Sequence, residues 1–176
     1  MRSTYFWVLT TALLATVAPT KAQQPGNTPR IGYLSANFPT TNPVRIEALR
    51  QGLRELGYVE GKNLVIEWRY AEGKSIRLPA LAAELVRLKV DVIVTSASGE
   101  TRAAKEATST IPIVMTNDND PVGSGFVASL ARPGGNITGL STLAPELSGK
   151  RLERLKEIVP RLANVAILAS STQPGY

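Results

Sequence analysis

The chain of 176 residues contains no cysteine and no histidine. Without cysteine it forms no disulfide and offers no thiolate nucleophile or thiolate metal ligand. Without histidine it cannot build a Ser–His–Asp triad or the usual zinc site, so no metal site is expected. Aromatic residues make up only 6% of the chain and do not alternate with its basic residues. The net charge of +6 is therefore not organised as a nucleic-acid stripe. Arg50, Arg69, Arg87, Lys105, Arg132 and Arg151 are scattered, as on a solvated face. No G-x-S-x-G, S-x-x-K or Walker A sequence occurs, and nothing places two carboxylates together for acid–base work. The chain is not expected to be an enzyme or to need a cofactor.

Long apolar runs are absent after the N-terminus. Arg2, the uncharged stretch Tyr5 to Ala18, and Pro19-Thr20-Lys21-Ala22 read as a secretory signal cut after Ala22. The apolar stretch is short for a membrane span. A lipoprotein anchor needs a cysteine at the cut, so a free secreted protein is expected. Residues 23–29 are a polar lead-in.

What is present is an ordinary globular composition, 43% apolar and 19% charged. The richest stretch runs from Val90 to Leu143. In it Asp91 to Thr95 and Ile111 to Met115 are β-type runs that end in polar loops and feed helix-type segments. That is the pattern of a parallel α/β sheet. Upstream, Arg30 to Ser35 and Asn63 to Tyr70 read as strands. Asn42-Pro43 starts a helix with Ile46, Leu49, Leu53 and Leu56 on one face, and Gly57 stops it. A second helix carries Leu78, Leu81, Leu85 and Leu88, with Ser75 as a possible cap and Pro79 in its first turn. Thr101 to Thr108 and Val122 to Leu130 are expected helices, and Ile137 to Ser141 a fifth strand. Leu147 to Val159 is a charged amphipathic helix, and Val165 to Ala169 a sixth strand. The strand order 2-1-3-4-5 follows, with its switch point between strands one and three.

Ligands of open α/β sheets bind at the carboxyl edge of such a switch point. Ser35 to Pro39 and Thr95 to Thr101 meet there, with Asn117 to Asp120 next door. Ser96, Ser98 and Thr101 lie where a helix begins and could hold a carboxylate or phosphate oxygen. Equally, Ser98 could simply cap that helix. Asn117 and Asp118 could face a ligand's amine or hydroxyl. A calcium loop needs a glycine at its sixth place and a distant glutamate. Counting from Asn117 the sixth residue is Val122, and from Asp118 it is Gly123, but no glutamate follows until Glu146. Asp120 reads better as a helix cap. Gly123 to Ala128 spells G-x-G-x-x-A, but after the fourth strand rather than the first, so close helix–sheet packing is the better reading. Arg132 to Asn136 is a tight turn. Tyr33 and Trp68 read as core.

The segments LRQGLRELGYVEGKNLVIEWRYAEG, LPALAAELVRLKVDVIV, AAKEATSTIPIVM, DPVGSGFVASLARPGGNITGLS and GKRLERLKEIVP resemble the ABC-transporter substrate-binding proteins related to tryptophan- and tyrosine-binding proteins. That resemblance implies a type I periplasmic-binding fold: two Rossmann-like lobes, a hinge, and a ligand clamped between them. Residues 30–141 would be the first lobe, 142–146 the hinge, and 147–176 the start of a second lobe. Members are considerably longer, so a fragment is expected. The implied partners are a small-molecule ligand, such as an amino acid or other small carboxylate, and an ABC permease in the inner membrane. A monomer with no nucleic-acid partner is expected. The candidate contacts are Ser35, Asn37, Ser96, Ser98, Thr101, Asn117 and Asp118, with Ser171 from the second lobe. The competing readings are a secreted α/β enzyme and a ligand-sensing domain of a membrane kinase.

Overall fold

The computed structural model describes residues 28–142 and 144–166. The signal segment 1–22, nearly all of the lead-in, and Ser171 lie outside the described residues.

Five strands form one parallel sheet in the order β2-β1-β3-β4-β5. They are β1 (Arg30–Ser35), β2 (Val65–Tyr70), β3 (Val92–Thr95), β4 (Ile113–Asp118) and β5 (Ile137–Ser141). Helix α1 (Pro43–Glu55) links β1 to β2, α2 (Leu78–Arg87) links β2 to β3, and α3 (Ser98–Ala107) links β3 to β4. Helix α4 (Ala144–Ile158) follows β5. The 2-1-3-4-5 order expected from the sequence is the order observed.

Side-chain alternation explains the layering. Successive residues of a strand face opposite sides, so Leu34, Ile93, Ile113 and Met115 bury on the side of α2 and α3. Ile31, Tyr33 and Val94 face the other way and meet Ile46 of α1. Gly32 lets α2 approach, because a Cβ there would lie 2.9 Å from a terminal methyl of Leu85.

Several element boundaries differ from expectation. Leu64 stands in an isolated bridge to Glu60, and β2 itself starts at Val65. Leu56 is not core: it ends α1 and is 76% exposed. Ser75 caps nothing; a 3-10 turn, Ser75–Arg77, leads directly into α2. Helix α3 starts three residues earlier than expected, with Ala97 as its N-cap, so Ser98 sits inside the helix and does not cap it. Helix α4 likewise starts at Ala144. Val165 and Ala166 are not in a strand, and the rest of the expected sixth strand lies outside the described residues.

The largest correction concerns Val122 to Leu130, which is not a helix. Ser124 N–H donates to the Asp120 carbonyl and Phe126 N–H to that of Pro121, and the helical course stops there. Gly125 adopts φ +68° and turns the chain away. Asp120 therefore caps a single turn, through Gly123 N–H at 2.7 Å, and not a helix. Phe126 and Val127 still reach the core, which preserves the apolar spacing that suggested a helix. The G-x-G-x-x-A stretch is thus a turn and not the start of a packed helix.

Candidate functional site

A cleft of about 710 Å³ opens at the carboxyl edge of the sheet. One wall comes from the end of β1 and the start of α1: Tyr33, Asn37, Asn42, Arg45, Ala48 and Leu49. Ser96 follows β3, and Thr116, Asn117, Leu140, Ser141 and Thr142 form the wall beyond it. The size suits a small organic ligand.

The β4–β5 wall has a specific local cause. Pairing between β4 and β5 slips between Met115 and Asp118. Gly139 faces Met115 with φ +143°, and a Cβ there would overlap the Met115 backbone. Only glycine allows the two strands to meet in this way. Thr142 N–H then donates to the Asp118 carbonyl at 2.8 Å, fixing the chain as it leaves the sheet.

The start of α3 is held to the loop after β1 by a buried acid that the sequence reading did not single out. Glu100 is 3% exposed. Its Oε1 accepts the Ala36 N–H at 2.7 Å and the Ser96 hydroxyl at 2.7 Å. The Ser35 and Ser96 hydroxyls lie 3.1 Å apart, and Ser35 Oγ accepts the Asn37 N–H at 3.2 Å. This network sets the positions of Asn37 and Ser96 in the cleft. The available signal was an acid in the first turn of a helix behind a hydroxyl-rich loop, but the partner at Ala36 is distant in sequence.

The expected contact residues separate into two groups. Asn37, Ser96 and Asn117 line the cleft together. Ser35 lies buried behind it. Thr101 is fully buried, its hydroxyl 2.8 Å from that of Thr95 and donating to the Ala97 carbonyl. Ser98, half-buried in the first turn of α3, and Asp118 are outside the lining. Asp118 is 1% exposed, its Oδ1 accepts the Asp120 N–H at 3.0 Å, and its Oδ2 has no hydrogen-bond partner. Burial raises the Asp118 carboxyl above its ordinary value, with the Ser98 hydroxyl and the Asp120 N–H working against the shift. Tyr33, Asn42, Arg45, Thr116, Ser141 and Thr142 were not anticipated as lining. Tyr33 is both core and cleft wall, and burial raises its hydroxyl as well, with Tyr70 and Glu100 adding to the shift.

Among the described residues no group of three or more acidic side chains is placed to hold a metal ion. The lining offers polar acceptors and donors, one guanidinium and an aromatic ring. Groups of these kinds suit hydrogen bonding and charge pairing with a small ligand.

Residues 44–174 match the family described as ABC transporter substrate binding protein. The chain belongs to that family. A similar curated protein is the tyrosine-binding protein of Clostridioides difficile strain R20291, 32% identical over 123 residues. That match takes in 70% of this chain and 35% of the relative, so the chain spans about a third of the relative's length. Two solved structures are also similar. A conserved domain protein from Vibrio cholerae shares 36% identity at a TM-score of 0.67, covering 76% of this chain and 45% of that one. The ABC domain from Streptococcus pneumoniae in complex with L-Trp shares 28% identity at a TM-score of 0.60, covering 65% and 38%. The substrate-binding family assignment and the periplasmic-binding fold agree with the resemblance read from the sequence.

Proposed function

We propose that this chain supplies the first ligand-binding lobe of a periplasmic solute-binding protein, which hands a small ligand to an ABC permease in the inner membrane. The observation that carries this reading is the polar cleft at the β1–β3 switch point, where Asn37, Ser96 and Asn117 converge. The relatives named for tyrosine and L-Trp support an amino acid or another small carboxylate as ligand.

The reading involves binding without covalent chemistry. Ligand docks on the exposed lobe, and a second lobe, to which Ser171 would contribute, closes over it. Ligand shifts the open–closed balance only by its differential affinity for the closed state. Ser35, Ser98, Thr101 and Asp118 act from behind the cleft by fixing its loops. Residues 142–146 would serve as the hinge and Met1 to Ala22 as the export signal.

A thermal-shift panel of amino acids and small acids tests this. A ligand present at a hundred times its Kd stabilises the fold by about 2.7 kcal/mol, enough to raise Tm by several degrees. If no member of the panel raises Tm, the amino-acid reading is lost.

A further inference from the structure

The cleft is electrically two-ended. At the β3–α3 end, Glu100 and Asp118 are buried carboxyl groups, 3% and 1% exposed. The hydroxyl proton of Ser96 is held within the protein, by Glu100 Oε1 or by Ser35 Oγ, so toward the cleft Ser96 has only oxygen lone pairs to offer. Of the other hydroxyls near that helix start, Thr101 is spent on Thr95 and Ala97 and Ser98 is drawn to Asp118. An incoming anion therefore finds committed donors and two acids at this end, whatever the N-terminus of α3 offers.

At the α1 end the lining contains Arg45, with Asn42 beside it. Six arginines of the described residues have carboxylate partners within 4 Å; Arg45 is among those that do not, and it is the arginine that lines the cleft. The first turn of α1 carries no acid either. A cation there opposes the helix dipole, so Arg45 costs the helix a little stability and gains no ion pair in return. Arg45 and Glu100 act with opposite sign on the hydroxyl of Tyr33, which lies between the two ends.

Taking the cleft as the ligand site, we propose that Arg45 anchors the carboxylate of a zwitterionic ligand whose amine turns toward Ser96 and Asn117. A guanidinium presents paired N–H donors that match a carboxylate in a two-point contact. The opposite end supplies acceptors: Ser96 Oγ and the Asn117 side-chain carbonyl, with Glu100 behind them. A zwitterion matches this charge pattern. A doubly charged phosphate would set its second charge against the acidic end.

The test uses ligand-observed NMR on the full chain with L-tyrosine, L-tryptophan, tyramine and tryptamine. For the native protein the amino acids bind more tightly than the amines that lack the carboxylate. Arg45→Gln weakens the amino acids by about 10- to 100-fold, the range for losing a charge-assisted hydrogen bond, and leaves the amines within about twofold. Arg45→Lys, which keeps the charge without the fork, falls between. Far-UV circular dichroism confirms that each variant is folded. The anchor is overturned if Arg45→Gln binds L-tryptophan as the native chain does, or weakens amine and amino acid equally; the cleft then remains a ligand site. Binding of the amines with the amino acids silent overturns the anchor in the same way. If none of the four probes binds the native chain, both the anchor and the amino-acid reading fall.

Discussion

Asp118 shows how one side chain reports its surroundings. Its carboxyl is buried, one oxygen lacks a partner, and its pKa is raised. A raised folded pKa means that the folded state holds its proton at pH values where the unfolded chain, near the ordinary 3.8, has lost it. In that window the native state binds more protons, so this group's contribution to stability falls as pH rises. Above the raised pKa the loss is complete and constant. Asp118→Asn removes the buried charge and keeps a carbonyl for the Asp120 N–H. Urea unfolding across the window should show the native chain losing stability relative to Asp118→Asn as pH increases from about 4, the unfolded reference. A constant difference between the two would contradict the shift. Gly139 is the second residue of this kind: its φ of +143° against the Met115 backbone was invisible in the sequence, where it reads as one more glycine.

At the scale of elements, the cleft depends on how α3 is tied to the loop after β1. Glu100 carries that tie, accepting from Ala36 N–H and from Ser96. Glu100→Ala strands the Ala36 N–H in a half-buried setting, which costs about 1–3 kcal/mol, while the Ser96 hydroxyl can turn to Ser35 Oγ, 3.1 Å away. The expected signature is local as well as global: the Ala36 amide exchanges with solvent faster than amides in the middle of β1. Unchanged exchange at Ala36 would mean that water replaces the carboxylate without loss. The elements themselves were largely legible. Apolar spacing located α1, α2 and all five strands within a few residues, because burial on one helix face or both strand faces leaves a periodic trace. The failure at Val122 to Leu130 has an equally physical cause. Phe126 and Val127 bury from a turn, and two nearby glycines remove the backbone preference that a helix there would need.

The described residues form one sheet with a core on each face. Leu85 is fully buried under β1, beside Gly32, and belongs to the α2–α3 side. Tyr33, Trp68 and Tyr70 cluster on the other side, with Tyr33 and Trp68 rings 5.0 Å apart. Both faces hang on the same strands, so they should fail together. Leu85→Ala is expected to cost about 2–5 kcal/mol. Its urea transitions by far-UV and near-UV circular dichroism should coincide, although the aromatic cluster lies across the sheet from the cavity. Separate transitions would show two independently stable faces.

The sequence by itself determined the parallel α/β class, the 2-1-3-4-5 order and the edge at which to look for a ligand. These follow from local patterns: alternation, helical spacing, and the order of strands and crossovers. It also brought Asn37, Ser96 and Asn117 into view, because each follows or ends a strand at that edge. Only the tertiary structure decided which polar groups are spent on the protein and which face the cleft. Thr101 turned inward to Thr95, Ser96 was tied to Glu100 and Ser35, and the first turn of α1 left Arg45 without an acid. Those outcomes depend on partners far apart in the chain, such as Ala36 and Glu100, which are brought together by β1 pairing beside β3. A local pattern records where a side chain begins; the packed sheet determines what it meets.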